Sequence, residues 1–346
     1  MARTDSVHLS DLFPSHDRRY HTCRIPALVT TMQGTILAFA EGRRGGGADD
    51  VPIDLLLRRS TDDGRSWSPA AIVVTDGDRT CGNPCPVVNR TSGEVLLLYC
   101  KDNQQMFMTR STDEGASWDQ PVDISADTRR PDWSYVGCGP GHGIQLRGGR
   151  LLVPAWVDES PGPVTWREPR AGWGKVQSSY AFYSDDDGYS WHTGQKLTHD
   201  ATDECEAVEV GDRVYITLRS RHDRHKRGYA WSEDGGFSWT PVAFDDALPE
   251  QSCQGSVIGL GPSSVLIANA ASTESRSMLT VRRSNDACRT WPMARVLYAG
   301  PAAYCDLTVA VSGEVLCLFE ADDYTCLRLA RFHPQWLDAG GHEEPR

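Results

Sequence analysis

Ser60-Thr61-Asp62-Asp63-Gly64-Arg65-Ser66-Trp67 is the stretch on which the fold of this chain turns. Its skeleton, Ser-x-Asp-x-Gly-x-x-Trp, returns at Ser111/Asp113/Gly115/Trp118, at Ser184/Asp186/Gly188/Trp191 and at Ser232/Asp234/Gly236/Trp239. A fifth copy, Ser284/Asp286/Trp291, carries Cys288 where the others have glycine. Successive copies begin 51, 73, 48 and 52 residues apart, which is the spacing of one multi-stranded unit per repeat. The residue types are those of a hairpin turn. Asp accepts hydrogen bonds from turn N–H groups, Gly supplies a positive φ, and Trp buries a large ring against the next sheet.

Apolar, alternating runs flank the boxes at Ile53–Arg59, Ser179–Tyr183 and Leu279–Arg283 and read as strands. Between the boxes a second element recurs, two strands joined by a Gly-containing turn. It is found at Arg24–Glu41, Pro86–Cys100, His142–Trp156, Glu206–Arg219, Gly255–Ala270 and Thr308–Glu320. Six inner hairpins and five boxes predict an all-β, six-bladed β-propeller in which each box joins the third strand of a blade to the fourth. Thr325–Phe332 supplies a third strand for the last blade with no box after it, so Val7–Phe13 is expected to close the ring from the N-terminus. The reading gives one all-β domain over residues 1–346, with an ordered core from about 7 to 337 and a short polar tail. Box residues sit on the rim and are read as structural.

Composition narrows the chemistry. The 346 residues carry a net charge of −12, which argues against nucleic acid or an anionic membrane as partner and demands a locally basic site for any anionic substrate. No run reaches the length of a transmembrane helix, and the first residues lack the apolar stretch of a signal peptide, so a cytoplasmic location is expected. The eleven Cys lack framework spacing and read as reduced thiols. Cys81 and Cys85 form a lone C-x-x-x-C without a second ligand pair, so no metal is expected.

The boxes, together with Arg24-Ile25-Pro26, Ala38-Phe-Ala-Glu41-Gly-Arg43, Asp54-Leu-Leu-Leu-Arg58, Asn83-Pro84, Gly139-Pro-Gly-His142-Gly and Phe319-Glu320, resemble the exo-α-sialidase family over nearly the whole chain. The resemblance implies hydrolysis of terminal α-ketosidically linked sialic acids on oligosaccharides, glycoproteins or gangliosides, without a cofactor. A sialic acid carries a carboxylate on its anomeric carbon, and a planar Arg fork binds that group as Lys cannot. The family's three clamp arginines fall on Arg24, Arg219 and Arg276, with Arg282 and Arg283 close enough in sequence to compete for the third place. The same carboxylate disfavours a carboxylate nucleophile, and sialidases use Tyr instead. Tyr304 matches that nucleophile and Glu204 its base. Glu206, two residues along the same extended segment, is a rival. Asp49, on the Gly-rich loop Arg43–Asp49 and next to Asp50, matches the acid/base that protonates the leaving oxygen. Glu320 matches a Glu that orients Arg24, Glu41 and Arg43 match residues on the C4 side of the sugar, and His142 and Trp133 fall either at the pocket mouth or in the core.

Two other readings stand beside hydrolysis. A non-catalytic carbohydrate-binding propeller would have no use for Tyr304, Glu204 and Asp49 together. A trans-glycosylating or anhydro-sugar-forming enzyme would use the same residues and differ in product.

Overall fold

The structure, a computed structural model, describes residues 6–17, 19–133, 135–159, 176–197, 202–221 and 224–339. It is all-β: among these residues the α-helix is a single turn, Ser125–Thr128, and a 3-10 turn follows at Pro334–Ala339. No described helix is long and apolar enough to cross a membrane.

The strands fall into six four-stranded antiparallel sets taken in chain order. The first set is Thr22–Thr30, Ile36–Arg43, Ile53–Ser60 and Ala71–Val74. The second is Cys81–Val88, Val95–Lys101, Gln105–Ser111 and Val122–Asp123. In the third, the innermost strand is split into Tyr135–Cys138 and Ile144–Gln145, both on Leu151–Asp158, followed by Gln177–Ser184 and His192–Thr193. The expected hairpin at His142–Trp156 therefore starts too late; Gly139–Gly143, with its cis Gly139–Pro140 bond, leaves the ladder between the two pieces. The fourth set is Thr202–Val210, Arg213–Ser220, Lys226–Ser232 and Ala243–Pro249.

The fifth and sixth sets share one strand of 17 residues, Met293–Val309. Its first half pairs outside Ser277–Ser284, and its second half pairs with Val315–Ala321. Gly255–Gly259 and Val265–Ala270 complete the fifth set. Cys326–Phe332 is the third strand of the sixth, and His8–Pro14 pairs with it antiparallel as the fourth, His8 opposite Arg331 and Pro14 opposite Cys326. The N-terminal strand thus sits where the sequence reading puts it, one residue further along.

Apolar burial explains why strands such as Val95-Leu-Leu-Leu-Tyr99 are hydrophobic without interruption. Val95, Leu97 and Tyr99 pack against the first set, while Leu96 and Leu98 pack against the third. Every set is covered on both faces in this way. Separate clusters join the first set to the second, the second to the third, and so on, and a last cluster joins the sixth to the first through Leu316, Leu318, Leu327 and Leu329 against Leu28, Ile36 and Leu56.

The boxes are turns of one design. Ser60 Oγ donates to Asp62 Oδ1 at 2.8 Å and accepts from Gly64 N at 2.9 Å, while Asp62 accepts from Ser66 N at 2.8 Å and from Ser66 Oγ at 2.6 Å. The residue before Trp is thus part of the motif, and it is Ser or Thr in all five copies. The glycine is fixed twice over. Gly64 has φ 75°, and a Cβ there would lie 2.6 Å from Leu316 Cδ2 of the sixth set. Gly115 meets Leu37 of the first set, Gly188 Leu96 of the second and Gly236 Leu152 of the third. Cys288 holds the same left-handed turn at φ 60° in the fifth copy, where the neighbouring strand offers Tyr215 in the same buried cluster. After the sixth set the 3-10 turn takes the place of a box. Trp336 and Leu337, the last residues of the expected ordered core, are buried, and Trp336 packs 5.1 Å from Phe332.

Candidate active site

The first strands of four sets enter with a break in register: between Arg24 and Ala27, Gly82 and Cys85, Thr202 and Cys205, and Ala302 and Cys305. A bulge re-aims the side chains within it. Ile25 and Asn83 hold positive φ, both 54°, just before Pro26 and Pro84, an uncommon conformation for any non-Gly residue and a strained one for β-branched Ile. In an antiparallel set the start of one strand, the end of the next and the start of the third share an edge. Arg24, Asn83, Glu204 and Tyr304 lie at starts of first strands, Glu41, Arg43, Arg219 and Glu320 at ends of second strands, and Arg276 just before a third. They gather at one edge around a cavity of about 250 Å³ lined by Arg24, Glu41, Arg43, Asp49, Glu204, Arg219, Arg276 and Tyr304.

Each of the three arginines expected to form the clamp is held differently. Arg24 donates from Nε and Nη2 to the two oxygens of Glu320 at 2.8 and 3.1 Å, and Glu320 also accepts from Ile25 N and Tyr304 N. Arg219 donates from Nη1 to Glu204 Oε2 at 2.5 Å and to the Tyr304 hydroxyl at 2.8 Å. Arg276 donates to Ser252 O at 3.0 Å and to the Tyr324 hydroxyl at 3.3 Å. Of its two sequence rivals, Arg282 donates to Asn269 and Arg283 pairs with Asp338, and neither lines the cavity.

Tyr304 sits beneath these cations, its hydroxyl donating to Glu204 Oε1 at 2.6 Å. The guanidinium carbons of Arg24 and Arg276 lie 5.2 and 5.5 Å from its ring centre. Burial pushes the phenol's pKa well above its ordinary value, Glu204 adds to this, and Arg219, Arg276 and Arg24 pull against both without prevailing. The shift favours the neutral phenol, and the Glu204 carboxylate is its hydrogen-bond acceptor.

Asp49 stands on the loop between Ile36–Arg43 and Ile53–Ser60, with its side chain 62% exposed. Its Oδ1 lies 2.8 Å from Arg43 Nη1 and 3.7 Å from Arg24 Nη1. Partial shielding from water at the cavity would raise its pKa, but Arg43 and Arg24 outweigh this and hold the carboxyl below the usual range. Arg43 is fixed in turn by Glu41 Oε2, at 2.9 and 2.7 Å, and Glu41 Oε1 accepts from Asn83 N at 2.7 Å.

The bulge before Cys205 decides between the two glutamates. Glu204 faces the cavity, whereas Glu206 is fully buried, accepts from Val257 N at 3.1 Å and lies 2.6 Å from His142 Nδ1. His142 Nδ1 is also 2.8 Å from Asp306. His142 does not line this cavity; of the two places expected for it, the pocket mouth or the core, it takes the core, where the Gly139–Gly143 segment brings it into a buried polar cluster with Glu206 and Asp306. Trp133 is likewise a core residue, 1% exposed and edge-on to Tyr180. The sequence reading assigned no role to Asn83, Asn103, Tyr135, Trp156 or Arg221, all of which line the cavity. Asn83 could have been found from Asn83-Pro84, which repeats the x-Pro entry of Arg24-Ile25-Pro26.

Repeated box turns and an arginine-lined cavity at one edge of the sheets define a BNR-repeat protein, and the pattern of the BNR repeat-like domain matches residues 34–317. A sialidase of Micromonospora viridifaciens is 32% identical over 91% of this chain and 52% of its own length. Sialidase-3 of Bos taurus is 32% identical over 90% of this chain and 88% of its own. The chain belongs to the sialidase family, and spans about half the length of the first of these relatives. Among solved structures, the Hadza microbial sialidase Hz136 superposes with a TM-score of 0.85 at 24% identity, covering 94% of this chain and 68% of that one. The intramolecular trans-sialidase of Ruminococcus gnavus does so with a TM-score of 0.80 at 16% identity, covering 96% and 99%. At these identities the likeness is one of fold.

Proposed function

We propose that the chain is a single-domain exo-α-sialidase built as a six-bladed β-propeller, releasing terminal sialic acid from glycoconjugates with retention of configuration. The propeller reading rests on six sets joined face to face by clusters that run from each set to the next and from the sixth back to the first. The functional reading rests above all on one observation, the Tyr304 hydroxyl held between Glu204 Oε1 and Arg219 Nη1 among three arginines. A cavity of about 250 Å³ is at or below the small end of ligand sites, roughly 300–1,000 Å³, and suits one sugar residue at a chain end.

In this reading Arg24, Arg219 and Arg276 take the substrate carboxylate. Tyr304 attacks the anomeric carbon while its proton passes to Glu204, and Asp49 protonates the departing glycosidic oxygen. Water then attacks the tyrosyl-bound sugar, losing its proton to Asp49. The carbon–oxygen bond to Tyr304 breaks, and the phenolate recovers its proton from Glu204. Asp49 must be protonated at the start, which its two arginines oppose. A substrate carboxylate on Arg24 weakens that opposition, and a bound sugar covering the exposed side chain raises the pKa further, so binding itself arms the acid. Releasing aglycone from an α-sialoside panel, with proton NMR following the sugar, tests the reading. The α-anomer should form first. First-formed β-anomer rejects retention, an anhydro sugar makes the chain an intramolecular transferase, and no release from any sialoside rejects the function.

A further inference from the structure

Of the three arginines, Arg24 and Arg219 are anchored by carboxylates, Glu320 and Glu204. Among the described residues no carboxylate lies within ion-pair distance of Arg276. Its acceptors among the described residues are neutral, the Ser252 carbonyl and the Tyr324 hydroxyl. The direction of its guanidinium therefore depends on two dipoles. Tyr324 also lies against Arg24, whose guanidinium carbon is 4.5 Å from the Tyr324 ring centre. One side chain thus touches two of the three arginines from different elements, by its hydroxyl and by its ring.

The backbone that presents Tyr324 is unusual. Asp322, Asp323 and Tyr324 all hold positive φ, 50°, 53° and 69°, without a glycine among them. Such conformations are uncommon in L-residues and persist only where the surroundings over-determine them. Here the pins are visible. Asp322 N donates to Pro301 O at 2.9 Å, Arg328 Nη1 lies 3.0 Å from Asp322 Oδ2, Tyr298 donates to Asp322 Oδ1, and Ser15 Oγ donates to Tyr324 O at 2.8 Å. Ser15 follows the N-terminal strand, whose pairing with Cys326–Phe332 fixes both ends of the contact.

We propose that Tyr324 is a positioning residue of the carboxylate clamp, its hydroxyl aiming Arg276 and its ring backing Arg24 so that both are preset for a sugar carboxylate. The proposal rests on the sialidase reading. Tyr324 touches no reacting atom, so its removal acts on binding more than on turnover.

The test compares wild type, Tyr324→Phe and Tyr324→Ala. It uses kcat and KM on an aryl α-sialoside, and calorimetric Kd for the unsaturated sialic acid analogue DANA and for its C1 methyl ester. Losing a hydrogen bond from a charged donor corresponds to about tenfold, so Tyr324→Phe should raise KM and the DANA Kd about tenfold, with kcat falling by less. Tyr324→Ala, which also loses the cation–π contact, should raise them roughly a further threefold or more. The ester, which presents no anion, should show little difference among the three proteins. Unchanged KM and Kd in both variants, or equal losses for acid and ester, would overturn the positioning role while leaving the sialidase reading intact. Wild type that neither cleaves the sialoside nor binds DANA would overturn both.

Discussion

Tyr304 and Glu204 share a 2.6 Å hydrogen bond between chain positions one hundred residues apart, carried on first strands of different sets. Burial pushes the Tyr304 phenol's pKa up, so in the proposed reaction Glu204 serves as the proton acceptor during attack rather than as a standing counter-charge. Tyr304→Phe removes the proposed nucleophile but none of the arginines. Turnover should fall by at least about a thousandfold, the scale on which covalent nucleophiles matter, while DANA still binds. Glu204→Gln should also lose most activity. Full activity in Glu204→Gln would remove Glu204 as the base, and a fluorosugar label on any peptide other than the one carrying Tyr304 would reject the nucleophile.

Asp49 is exposed and paired with Arg43 and Arg24. In the proposed reaction it is the acid that protonates the leaving oxygen, and such an acid matters in proportion to how poor the leaving group is. Asp49→Ala should reduce kcat/KM for sialyllactose by about a hundredfold or more, within the usual range for general acids, and by far less for an aryl sialoside. Equal losses on both substrates would leave Asp49 a binding residue only.

The fold was legible because its repeats are local. A box is closed by its own Ser, Asp and Gly, so it is written within eight consecutive residues. The arginines and Tyr304 were legible through motif resemblance, and the structure brings all of them to one cavity. What escaped is tertiary. Glu204 and Glu206 look equivalent under a period of two, and only the bulge before Cys205, set by pairing with Arg213–Ser220, turns them apart. Trp336 replaces a sixth box without its sequence pattern, since any aromatic delivered by a short turn can cover the sheet. The run Asp322-Asp323-Tyr324 reads as an ordinary polar turn, because its left-handed backbone is imposed by Pro301, Arg328 and Ser15 from elsewhere in the chain.

Glu320 accepts from Arg24, Ile25 N and Tyr304 N at once. Removing a carboxylate from a buried ion pair leaves an uncompensated charge, at a cost of about 3–5 kcal/mol. Glu320→Ala should therefore lower the thermal midpoint by several degrees and abolish DANA binding. Glu320→Gln, which retains acceptors for the backbone N–H groups, should recover stability more than it recovers binding. If the Ala variant binds DANA normally, Arg24 is not oriented by Glu320.

The buried cluster of His142, Glu206 and Asp306 should make stability depend on pH from within the core. Burial pushes Glu206 up to about 8, with His142 opposing and Asp306 adding to the shift. Burial would lower His142, but Glu206 and Asp306 outweigh it and raise its pKa well above the ordinary value. Taken together, the cluster thus holds protons in the folded state that the unfolded chain gives up at lower pH. Between the ordinary Glu value of 4.5 and about 8 the folded protein binds more protons than the unfolded one, so stability falls as pH rises. The slope is up to about 1.4 kcal/mol per pH unit for each proton involved. The box aspartates Asp62, Asp113, Asp186 and Asp286 act in the opposite sense, since hydrogen bonds from their Ser or Thr partners lower their pKa values, but their window lies below about pH 4. The thermal midpoint should accordingly decline from pH 5 to pH 8 in the wild-type protein. Glu206→Gln, which carries no proton to lose, should flatten much of that decline. A wild-type midpoint that rises across this range, or a Glu206→Gln protein with the full wild-type slope, would overturn Glu206 as a carboxyl that keeps its proton in the fold.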